Sequence, residues 1–142
     1  MLHHIDIHVR DIDATQTLVD ALAGHIGYRR IVDSAEPEEP GFVGYETVSG
    51  GRARFGLIPD LAALPGSTRV AFAVETRAQV DAAARVAREH GGCAIEGPGL
   101  HPEYGDYYAV FFEDAGGNKF EICADAGACR PSPDSSYQGV AE

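Results

Sequence analysis

Apolar and polar residues alternate in IDIHV (5–9), the pattern of a strand with one buried face. The next stretch, RDIDATQTLVDALAGHIGY, reads as a helix capped near Asp11 or Asp13 and ended at Gly27. YRRIV, GFVGYETV and RARFGLIP follow as strands separated by turns rich in Pro and Gly. The same order then returns. RVAFAV (69–74) is a strand, RAQVDAAARVAREHGG (77–92) an Ala-rich helix, and CAIEG, DYYAVFFED and NKFEICA are strands.

Sliding one half over the other gives a constant offset of 65 residues. Val9 falls on Val74, His25 on His90, Gly27 on Gly92, Gly51 on Gly116 and Phe55 on Phe120. The repeat predicts an α+β fold of two tandem βαβββ modules, residues 2–60 and 67–125, within one domain over 1–126. Neither module has core enough alone, so the two are expected to form one curved, mixed sheet around a cleft. The segment 127–142, rich in Pro, Ser and Gly, is expected to be a flexible tail.

Alternation also sorts side chains by face. Ile5, Ile7 and Val9 belong under the helix, leaving His4, Asp6, His8 and Arg10 on the open face. Val70, Phe72 and Val74 face the helix, opposite Arg69, Ala71, Ala73 and Glu75. Phe55 and Leu57 leave Arg54, Gly56 and Ile58 open, and Phe120 and Ile122 leave Lys119, Glu121 and Cys123 open. The 65-residue shift makes His4 equivalent to Arg69 and Gly56 to Glu121. These four positions are expected to converge near a pseudo-twofold axis.

Composition narrows the possibilities. The chain has 142 residues, 44% of them apolar and 23% charged, enough for a real core. A formal charge of −11 argues against nucleic acid or an anionic membrane as partner. No apolar run is long enough to span a bilayer. Three cysteines without metal-ligand spacing suit a reduced, cytoplasmic protein.

Three stretches, LHHIDIHVRDI with GHIGY, RVAFAVETRAQVDAA, and YYAVFFEDAGGNKFEI, resemble the vicinal oxygen chelate superfamily over roughly residues 2–125. That group includes glyoxalase I, extradiol dioxygenases, fosfomycin resistance enzymes and bleomycin resistance proteins. Ala115 replaces the proline of its usual Asp-Pro-x-Gly-Asn turn. The resemblance implies metal ligands at His4, the first-strand histidine, and at Glu121, the final carboxylate. It breaks where Arg69 replaces the central histidine and Gly56 the fourth ligand.

Two functions stay open. In one, a divalent transition metal (Fe, Mn, Ni or Zn) bound by His4 and Glu121 chelates adjacent substrate oxygens, and Glu121 or His8 moves a proton in a lyase, isomerase or dioxygenase reaction. His8 cannot share an ion with His4, because four residues along a strand span about 13 Å. Asp6 or His101 could add a donor. An extradiol dioxygenase is the least expected enzyme, since its iron takes two histidines and one carboxylate.

In the other, a metal-free protein of the bleomycin-resistance type holds a small molecule in the cleft, with an Arg69–Glu121 ion pair in the metal's place. Arg69, Arg54, Tyr107 and His101 are the expected ligand-binding residues. The resemblance also implies a homodimer, and the linker 59–68 leaves open whether the site forms within one chain or across two.

Overall fold

The computed structural model describes residues 2–31, 41–51 and 53–125, so the expected tail lies outside the described residues. The first module runs β1 (His4–Val9), α1 (Ile12–Ala23), β2 (Tyr28–Arg30), β3 (Val43–Thr47) and β4 (Arg54–Pro59). The second runs β5 (Arg69–Ala73), α2 (Arg77–Glu89), β6 (Cys93–Leu100), β7 (Tyr107–Glu113) and β8 (Lys119–Asp125). This is the α+β arrangement expected from the repeat.

Local chemistry fixes the helix ends. Asp11 accepts from the Ala14 N–H at 3.0 Å and caps α1, and Gly27 leaves its last turn at φ +76°, a conformation that suits glycine. Thr76 and Gln79 cap α2 reciprocally, each side chain accepting from the other's end of the first turn. The buried face of α2 is Val80, Ala83, Ala84 and Ala87, small enough for close approach to its neighbours.

Each module forms a four-stranded sheet, ordered β1-β4-β3-β2 and β5-β8-β7-β6, with the first pair parallel and the rest antiparallel. One core joins them. Val19, Leu22 and Ile26 close on Phe55 of the first sheet and on Phe72, Phe112, Phe120 and Ile122 of the second. Phe72 also meets the rings of Phe55 and Tyr28 at 5.1 and 5.6 Å. The two sheets do not merge into one: β1 and β5 are each the edge strand of their own sheet. The open faces lie on the sides away from the shared core.

The repeat is not uniform. Phe55 pairs with Tyr45 and Phe120 with Phe112, and both pairs stack on the core side. Strand β3 therefore maps onto β7 with an offset of 67, against 65 for the flanking elements. Tyr45 and Phe55 are ten residues apart in the chain, two more than Phe112 and Phe120.

A buried carboxylate ties the modules together. Asp114, 2% exposed, accepts from the Thr15 hydroxyl of α1 at 2.8 Å, the N–H groups of Gly116 and Asn118, and the Asn118 amide. Asn118 in turn donates to the His8 carbonyl at 3.3 Å. Ala115 in place of proline leaves this turn intact. Among the described residues no helix is long and apolar enough to cross a membrane.

Candidate functional site

The cross-strand registers resolve each open face into rows. On the second sheet the first row is Arg69, Lys119 and Glu113, and the next is Ala71, Glu121 and Phe111. Cys123 and Ala109 pair in the row after that. Tyr107 lies further along the same face of β7, two places from Ala109.

Glu121 is the centre of this face. It is 7% exposed, a burial the alternating pattern alone does not foretell. One carboxylate oxygen, Oε1, accepts the Tyr107 hydroxyl. The other makes no hydrogen bond to the described residues, yet among those residues no fully buried side-chain oxygen lacks a partner. The second oxygen is therefore not fully buried and keeps a lone pair for a donor from outside. Burial, with hydrogen bonds to Cys123 and Glu121, pushes the Tyr107 hydroxyl far above the usual tyrosine range. Tyr107 is thus a fixed donor that holds Glu121 in place.

Aromatic rings wall the carboxylate. Phe111 stands directly opposite Glu121, and the Arg69 guanidinium carbon lies 4.6 Å from the centre of its ring. His101 meets Phe111 edge-on at 5.2 Å, and Tyr104 meets Tyr107 at 5.9 Å. Tyr108 points the other way and donates to Asp81 of α2 at 2.8 Å. Arg69, Tyr107, His101 and Glu121 thus come together on one face.

The expected Arg69–Glu121 ion pair does not form. The parallel register places Arg69 beside Lys119 and Ala71 beside Glu121, one row apart. Phe111 takes the guanidinium and Tyr107 takes the carboxylate.

The first sheet offers a different surface. Its first open row is His4, Arg54, Glu46 and Arg29. Glu46 accepts from Arg29 at 2.9 Å and lies 3.8 Å from Arg54, so Arg54 is spent on a carboxylate of its own sheet. His4 lies 2.9 Å from His3 and 3.6 Å from Asp6, and all three are exposed.

The next row is Asp6, Gly56 and Gly44. The Phe42 ring lies across both glycines. A Cβ built on Gly56 would stand 2.3 Å from it, and one on Gly44 would stand 3.1 Å away. The position equivalent to Glu121 is thus covered by an aromatic ring, and only glycine fits beneath it.

His8 is held elsewhere. It pairs with Asp60 at 3.0 Å, and hydrogen bonds from Ala62 and then His8 keep the Asp60 carboxyl below its usual range. A cavity of about 320 Å³ opens at the seam between the modules, floored by Ile5, Ile7, Val70 and Phe120, with His8, Asp6 and Lys119 at its rim.

Of the four symmetry-related positions, only His4 and Glu121 carry metal-ligating groups. His4 bonds to its own strand's neighbours and Glu121 to Tyr107. Among the described residues no group of three or more His, Cys, Asp or Glu side chains could hold a metal ion. The described donors of one chain therefore do not fit a divalent transition metal, which needs at least three protein ligands with an open position for chemistry.

Phe42 and Phe111 escaped the sequence reading. Phe111 was within reach, because it alternates with Tyr107 on β7. Phe42 precedes its strand, and only the facing pair of glycines hints at what covers them.

A family model described as the Glyoxalase/Bleomycin resistance protein/Dioxygenase superfamily matches residues 1–122. No curated protein matches the sequence. Among solved structures, a glyoxalase/bleomycin resistance protein from Albidiferax ferrireducens T118 is similar, with 23% identity and a TM-score of 0.72, covering 88% of this chain and 99% of that one. A glyoxalase/dioxygenase from Nostoc punctiforme has 21% identity and a TM-score of 0.66, covering 88% and 90%. A fosfomycin resistance protein from Mesorhizobium loti has 16% identity and a TM-score of 0.62, covering 88% and 92%. At these identities the likeness is one of fold.

Proposed function

Because the chain belongs to the glyoxalase/bleomycin resistance protein/dioxygenase superfamily, we propose that it binds a small organic molecule on the open face of its second module, without a metal. The observation that carries this reading is Glu121: a buried carboxylate with one oxygen fixed by Tyr107 and the other open. A ligand donor that replaces water at this oxygen meets a carboxylate already held in place by Tyr107. Around it stand Phe111, His101, Tyr104 and Tyr107, a wall suited to an aromatic or apolar body. The ligand therefore brings a hydrogen-bond donor to Glu121 and packs its remainder on the rings. His4, His8 and Arg54 take no part in this site within one chain.

A second reading is favoured by one feature, the unpaired edges of β1 and β5. Members of the superfamily often form dimers and often bind divalent metals. A homodimer that paired β1 of one copy with β5 of another would bring His4 toward the Glu121 of a second chain. The catalytic roles for Glu121 and His8 belong to that assembly.

Benzylammonium, an N–H donor on an aromatic ring, tests the first reading by calorimetric titration with excess chelator present. Saturable binding that falls about tenfold in Glu121→Gln is expected, from the roughly 1.5–3 kcal/mol of a hydrogen bond to a charged group. Binding indifferent to Glu121→Gln, or abolished by the chelator, counts against it.

A further inference from the structure

We propose that the ligand of this face is amphoteric, carrying an anionic group for Arg69 and Lys119 in addition to the donor that meets Glu121. The inference rests on the binding role given above to the second module's open face and names the class of molecule it takes.

In this chain acidic residues outnumber basic ones 22 to 11. Four of the described arginines find carboxylates: Arg29 and Arg54 share Glu46, Arg30 pairs with Asp20, and Arg77 with Asp106. Arg10, Arg85 and Arg88 do not, and neither do Arg69 and Lys119. Arg69 and Lys119 stand side by side in the β5–β8 ladder, on one face, and neither forms an ion pair with a described residue. Glu113 is opposite Lys119 in the β7–β8 ladder, but it does not close on the ammonium. Two like charges on neighbouring strands repel, and an anion lying between them relieves that repulsion.

The first module supplies the comparison. There the same places are held by His4 and Arg54, and Glu46 neutralises Arg54. The second module keeps the cations and leaves them open. Phe111 explains how they coexist with an acid one row away. Its ring carries the Arg69 guanidinium, so Arg69 is oriented without being spent on Glu121. Stacked in this way, the guanidinium keeps its N–H donors for a planar anion such as a carboxylate.

The spacing sets the shape of the ligand. Lys119 and Glu121 are two residues apart on one strand, about 7 Å at ~3.4 Å per residue. A ligand with its acid and its donor at opposite ends of a ring matches that separation, and its ring then packs on Phe111.

Three rigid probes separate the contributions: 4-(aminomethyl)benzoate, benzylammonium and benzoate, each titrated calorimetrically into the wild-type protein, Arg69→Gln, Lys119→Gln and Glu121→Gln. Circular dichroism checks that each variant is folded. The zwitterion is expected to bind at least fivefold tighter than benzylammonium, about 1 kcal/mol. Arg69→Gln and Lys119→Gln should each erase most of that margin, and added salt should narrow it. Equal affinity of zwitterion and benzylammonium, both weakened by Glu121→Gln, would overturn the amphoteric ligand and leave the binding face standing. Failure of every probe to bind in a way that responds to Glu121→Gln would overturn both.

Discussion

Removing the Asp114 carboxylate tests how the two modules are held together. Asp114→Ala deletes an acceptor of four hydrogen bonds in a position 2% exposed. Thr15, with no exposed surface, is left with a buried hydroxyl lacking its partner. The N–H groups of Gly116 and Asn118 lose theirs too, though both lie nearer solvent and can turn to water. Hydrogen bonds to a charged acceptor contribute roughly 1.5–3 kcal/mol each, and one stranded buried group costs roughly 1–3. Counting the Thr15 bond and one turn bond as unreplaced gives a loss of about 3 kcal/mol.

For a chain of this size that lowers Tm by roughly 10 °C. Urea denaturation followed by far-UV circular dichroism should show a lower midpoint with an unchanged slope. Thr15→Val removes the cross-module bond alone and should cost less. Thr15 and Asp114 should couple by at least ~1 kcal/mol in a double-mutant cycle. Asp114→Ala within ~0.5 kcal/mol of wild type, or strict additivity with Thr15→Val, would refute the idea that this carboxylate clasps α1 to the β7–β8 turn.

Other consequences are simpler to check. Gly56→Ala sets a methyl 2.3 Å from the Phe42 ring and should cost about 1–3 kcal/mol by overpacking. Phe42→Ala in the same chain should recover part of that loss in a denaturation series. Burial, then the hydrogen bond to Asp20, raises Tyr45 far above its ordinary value of 10.0, and burial does the same first for Tyr107. Above pH 10.0 the unfolded chain therefore releases protons that the native state keeps, and stability declines as pH rises. Tyrosinate absorbance for these two residues should appear only as circular dichroism reports unfolding, and full ionisation of a native protein would contradict this. Asp60, whose folded pKa is depressed, contributes stability above its ordinary 3.8 that is lost as pH falls below it. Asp60→Asn should flatten that acid limb slightly.

The fold was legible because two signals agree. Alternation marked the strand faces, and the 65-residue repeat ordered the elements, so Ile7, Val9, Leu57 and Ile122 were recognisable as core before any coordinates. The sequence pattern also put Glu121 and Arg69 on the open side, and left open which of Tyr107 and Tyr108 joins them. Contacts between rows were beyond it. Arg69 and Glu121 look adjacent from the repeat, but register separates them by two residues along the ladder. The shift of β3 relative to β7 is invisible at the matched ends, because Tyr28 and Phe55 on either side of β3 keep the 65-residue offset to Cys93 and Phe120. Convergence of His4 with Glu121 rested on a pseudo-twofold axis that brings the two open faces together. The edges of β1 and β5 are instead left free, a matter of packing rather than of residue pattern.

The central claim is that Glu121 serves a bound molecule directly and not through a metal. Its most direct test is calorimetric titration of chelator-stripped protein with Mn²⁺, Fe²⁺, Ni²⁺ and Zn²⁺, beside His4→Ala. The account predicts no stoichiometric heat from any of the four ions. Micromolar or tighter binding at one ion per chain, lost in His4→Ala, would contradict it and show that His4 and Glu121 reach a common ion between two copies.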